Sequence, residues 1–102
     1  MRENTADAAK TRMRKAQARH EVLEEDNRRL REMLLFLNES EARKNRLVDY
    51  YFGAWLEDVD ALADTDFDSA VMDQDTLYDE LVERDRLVRQ LLLFCAETLQ
   101  RE

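Results

Sequence analysis

The sequence has no proline, a single glycine, a single cysteine and a single histidine. Each shortage excludes something. Without proline, no point in the chain is forced out of a helix by a missing N–H or a ring clash. One glycine, Gly53, leaves no glycine-rich loop to cradle phosphate. One cysteine, Cys95, excludes an internal disulfide framework, and a reducing cytoplasm is the expected compartment. His20 and Cys95 stand far apart in sequence, with no third group evident to complete a catalytic triad. The longest apolar run, residues 91–96, is far too short to cross a bilayer. Residues 1–10 lack the apolar stretch of a signal peptide, so no membrane association is expected. No cofactor is expected either, and the chain reads as non-enzymatic.

Positive charge is missing from one region. Residues 49–80 hold eleven acids and no lysine or arginine. Residues 1–46 carry twelve basic and nine acidic side chains, a balance of +3. Residues 47–102 carry four and fifteen, a balance of −11, which gives the net charge of −8. An acidic half of this kind repels nucleic acid and suits a basic protein partner. A solvated face with helix-start acids gives the same pattern.

What the chain does have is helical periodicity. Its 102 residues fit one domain, and 39% of them are charged, as in long solvated helices. Asn4 or Thr5 suits an N-cap, and nothing breaks the helix predicted over 4–51. Met13, Ala16, His20, Leu23, Asn27, Leu30, Leu34 and Leu37 keep the alternating three- and four-residue spacing of a coiled-coil seam. Asn27, within that seam, suits a residue that specifies pairing register. Glu41 and Lys44 interrupt the seam, and Leu47, Val48 and Tyr51 resume it.

Gly53 is expected to end or bend this helix. A short helix over 54–63 follows, then a loop over 64–73 rich in Asp, Ser and Thr. Phe67 and Val71 are expected to pin that loop to the core. Asp73 or Asp75 caps a last helix over 74–100. Tyr51, Trp55 and Val59 lie one helical turn apart and form the expected apex anchor. The fold class is all-α: a long, coiled-coil-like helical hairpin with a short apical helix, pairing into a bundle. Pairing is expected because residues 33–37 and 91–94 are too apolar for one antiparallel neighbour to cover. Leu35, Phe36, Leu93 and Phe94 are the expected self-association residues, and the oligomer is a homodimer.

Three other sites can be weighed. Asn4, Arg12, Arg14 and Lys15, with Thr5 and Ala8, resemble the DNA-contacting basic region of leucine-zipper proteins, and Leu23, Leu30 and Leu37 follow seven apart. A dimeric DNA-binding zipper is therefore one alternative. Against it, Asp7 stands where that family has alanine, and the first zipper leucine falls one residue late, turning the basic face by about 100°. Asp64, Asp66, Asp68 and Asp75 match positions one, three, five and twelve of a calcium loop. Ser69 replaces the glycine needed at six, and acids before a helix also arise as caps. The third is an acidic inhibitor that mimics nucleic acid on a basic partner.

The apex and last helix carry a further resemblance. YYFGAWLEDVD followed by AVMDQDTLYDELVERDRLVRQLL is similar to a short bacterial family known only as domain of unknown function 4298. Tyr50, Tyr51, Trp55, Asp58, Val71, Met72, Asp75, Leu77, Tyr78, Asp79 and Leu81 carry it, over about residues 47–92. The linker here is shorter than the family's, and Gly53 stands where members often have serine. The resemblance implies a small cytoplasmic helical protein and no particular activity.

Overall fold

A computed structural model describes residues 2–101, with side chains from Thr5 to Arg101. Among the described residues all regular structure is helical. Helix α1 is Arg2–Phe52, α2 is Trp55–Leu62 and α3 is Gln74–Gln100, with a 3-10 turn at Ala70–Met72. The all-α class read from the sequence is the class the chain adopts. The chain divides into two compact units, Met1–Gly53 and Ala54–Glu102.

The first unit is α1 and the turn that ends it. Arg2 already lies in the helix, so neither Asn4 nor Thr5 marks its start. A capping residue serves only where the chain before it leaves the helix, and nothing in Arg-Glu-Asn-Thr requires that. Ion pairs at helical spacing run along α1. Arg28 bridges Glu25 and Glu32, and the Lys44 ammonium lies 2.7 Å from Glu41. Exposed pairs of this kind are screened and individually weak.

Gly53 closes α1 with a tightened turn, its N–H donating to the Tyr50 carbonyl at 3.1 Å. Its φ is not positive. What glycine supplies is space: a Cβ here would stand 2.8 Å from the carbonyl oxygen of Asp49. Just before the turn, the Tyr51 and Phe52 rings meet edge to face at 5.0 Å.

The second unit is built around a single indole. Trp55 opens α2 and is only 9% exposed. Glu57 and Asp58 occupy the first turn of α2, where the helix dipole favours negative charge. The Trp55 Nε1–H donates to the carbonyl of Val71, sixteen residues on, at 2.7 Å. That carbonyl belongs to the 3-10 turn, so the turn is tied back to α2. Ser69 begins the turn, its Oγ accepting from the Val71 N–H at 3.4 Å. Asp73 then serves two elements. Its N–H closes the 3-10 turn on Ala70, and its carboxylate caps α3 by accepting from the Asp75 N–H at 3.1 Å. The Thr76 hydroxyl adds a second bond to the same carboxylate at 3.0 Å. One turn into α3, Leu77 is the most deeply buried core residue, at 3% exposure.

The structure corrects two expectations for residues 64–73. The segment is not wholly loop, since it contains the 3-10 turn. Phe67 and Val71 do not pin it by their side chains, for both are exposed. Val71 contributes its backbone carbonyl instead, and Met72 turns its side chain partly inward. An apolar triplet ending at an acidic cap forms a turn because the backbone groups find partners there, whichever apolar side chain is largest.

Three stability outcomes follow from this unit. Trp55→Ala is expected to cost about 3–5 kcal/mol, the range for emptying a buried aromatic site. Trp55→Phe keeps most of the ring and strands the Val71 carbonyl, for a cost of about 1–2 kcal/mol. Asp73→Ala removes the α3 cap and should cost about 1 kcal/mol. Urea denaturation of the three variants measures all of these. An unchanged midpoint for Trp55→Ala would show that the indole bond does not hold the unit together.

Candidate functional site

Apolar side chains gather in the open on both units. On α1, Leu35 is 64% and Phe36 57% exposed; on α3, Leu93 is 58% and Phe94 64% exposed. Met33 and Leu34 beside the first pair, and Leu91 and Leu92 beside the second, are exposed as well. Five successive apolar residues at 100° each pass right round a helix, so one neighbour can cover only part of them. A cation touches the first run: the Arg43 guanidinium carbon sits 5.9 Å from the centre of the Phe36 ring. The Arg43 position, two turns along α1, puts it on the same face as Phe36.

The expected apex residues fall in different units. Trp55 and Val59 belong to the second, where Trp55 is buried and Val59 half-buried. Tyr51 belongs to the first, half-buried against Phe52. The eleven acids from Asp49 to Glu80 are all exposed.

The remaining candidates are dispersed. Asp64, Asp66 and Asp68 are exposed, and Asp75 lies inside the first turn of α3. Among the described residues no three carboxylate, histidine or cysteine side chains are grouped to hold a metal ion. His20 pairs with Glu24 on α1 at 3.0 Å, and Cys95 is exposed on α3. Arg12, Arg14 and Lys15 are exposed along α1. Arg12 and Lys15 share a face, with Arg14 about 200° round from Arg12. The side chain of Asn4 lies outside the described residues. An open hollow of about 520 Å³ runs along α1 between Ala18, Arg19, Val22, Leu23 and Asp26, with one helix as its only wall.

Two carboxylates are held below their ordinary range. Hydrogen bonding from Arg86 lowers Glu83, and hydrogen bonding from Arg28 lowers Glu25. The partner arginines are raised in turn. The role of these pairs is helix support at three-residue spacing.

No family model matches the chain, no curated protein matches it, and no solved structure matches it. No helix among the described residues is long and apolar enough to cross a membrane.

The Glu83–Arg86 pair has a measurable consequence. A carboxyl whose folded pKa is depressed stabilises the fold above its unfolded pKa, and that contribution disappears as pH falls through the folded value. The Glu83 carboxyl should titrate by NMR below the ordinary glutamate range, and Arg86→Ala should return it to that range. A Glu83 midpoint indifferent to Arg86→Ala would dismiss the pair.

Proposed function

We propose that this chain is a non-enzymatic helical module for protein–protein interaction and oligomerisation, working as a homodimer. The observation that supports this reading best is the exposure of Leu35 and Phe36 on α1 and of Leu93 and Phe94 on α3. Burying one such side chain is worth about 1.5–3 kcal/mol, so a few of them suffice to drive association. A second copy carries the same surfaces, and a two-fold pairing needs only a self-complementary patch. The reading includes a cytoplasmic location. It also includes kinship with the bacterial family of unknown function, resting on the tyrosine, tryptophan and acid positions from Tyr50 to Leu81.

A second use of the chain is favoured by one feature. All eleven acids between Asp49 and Glu80 face solvent, and such a segment complements a basic surface on another protein. Blocking a nucleic-acid site on that partner is the function this chemistry fits. A DNA-binding zipper ranks below it, because Asp7 sits in the basic region and the acidic half would repel phosphate.

Sedimentation equilibrium tests the dimer. Wild-type chain should sediment as a dimer at micromolar concentration, and Phe36→Glu or Leu93→Glu should weaken self-association with the helical spectrum retained. A wild-type monomer at high micromolar concentration would overturn the proposal. In the same preparations duplex DNA should show no sequence-selective, salt-sensitive complex. Such a complex, lost on Arg12→Ala, would promote the zipper reading.

A further inference from the structure

From residue 5 to residue 36 every side chain of α1 is exposed. Helices in proteins draw most of their stability from packing an apolar face, and propensity alone supports them poorly. This stretch has such a face. Met13, His20, Asn27 and Leu34 occupy the first position of successive heptads, conventionally a. Ala16, Leu23, Leu30 and Leu37 occupy the fourth, d. Met13, Leu23, Leu30 and Leu34 are each more than half exposed.

The charges beside the seam show an asymmetry. On the outer face of α1, at positions b, c and f, Arg28 and Arg29 are satisfied by Glu25 and Glu32 of the same helix. At the e and g positions that border the seam, Arg19, Asp26 and Arg31 make no ion pair or side-chain hydrogen bond among the described residues. On the same border Glu24 pairs with His20, and Gln17 hydrogen-bonds Glu21, each within its own helix.

We propose that residues 13–37 of α1 pair with the same residues of a second copy as a parallel, in-register, two-stranded coiled coil. The pairing rests on the self-association proposed above but names a different face, for Leu35 and Phe36 fall at b and c and stay clear of the seam. Two observations select the orientation. In a parallel, in-register pair, a g residue faces the e residue five positions on in the partner. Arg19 then faces Glu24 of the second copy, and Asp26 faces its Arg31, both attractive. The remaining borders, Arg12 with Gln17 and Met33 with Asn38, contain no like charges. The second observation is Asn27. In parallel register the two Asn27 amides meet each other across the axis and can hydrogen-bond. In antiparallel packing an a residue shares its layer with d residues, and here those are leucines and one alanine, which leave the amide without a partner. A single a-position asparagine specifies register at some cost in stability, and an unsatisfied buried amide costs more.

Cross-linking tests the orientation in the full chain. With Cys95→Ser removing the native thiol, Ala16→Cys places a sulfur at a d position, and a parallel pair sets it opposite its own copy. Mild oxidation should give a reducible dimer from Ala16→Cys and little from Ala18→Cys, which lies on the outer face. Separately, Glu24→Arg should weaken the dimer about tenfold by turning two attractions into repulsions. Adding Arg19→Glu to the same chain should restore it. A chain that sediments as a dimer without the position-16 cross-link, and without rescue by the double swap, overturns the parallel pairing and leaves self-association standing. Equal cross-linking at positions 16 and 18 also overturns it. A helical monomer at high micromolar concentration removes both proposals together.

Discussion

The indole N–H of Trp55, given to the carbonyl of Val71, is the contact on which the second unit depends. Between these two residues the chain is acidic, and its Leu56 and Phe67 side chains are exposed, so it buries little of its own. One directional bond from a buried donor fixes the far end of that stretch. With the Val71 carbonyl held, the 3-10 turn forms, Asp73 follows it into capping position, and α3 starts with Leu77 facing inward. A buried indole without that acceptor would carry an unsatisfied donor, so the bond and the burial require each other.

The first unit obeys a different constraint. Its helix has no breaker before Gly53, and exposed ion pairs stiffen its outer surface. Those pairs leave the apolar seam and its bordering charges as they are. Such a helix is regular in backbone and incomplete in burial. The proposed pairing of two seams would supply what the isolated helix lacks, while the runs at Leu35–Phe36 and Leu93–Phe94 remain for further contacts.

Much of the helical architecture is legible from local chemistry. The unbroken α1 follows from the absence of proline, and the start of α3 follows from an aspartate whose carboxylate reaches the second N–H beyond it. The 3-10 turn was not legible, because it depends on a bond between residues sixteen apart that no spacing rule contains. Phe67 and Val71 were misassigned to the core because hydrophobicity says that a side chain prefers burial, not that the backbone can deliver it. As for the interaction surface, a sequence shows that an apolar face exists. Burial is non-directional, so the identity of what covers it is decided by bordering charge and by the one polar residue in the seam.

The chain's single tryptophan lies in the second unit, while most of the helical backbone lies in the first. The two units therefore carry separate optical signatures. Indole emission follows the small Trp55–Leu77 core, whereas far-ultraviolet ellipticity is weighted towards α1. A chain whose halves melt as one cooperative body must show both signals changing together; halves that melt independently must show them apart. Nature has in effect labelled one half of this protein and left the other half to be seen by its backbone.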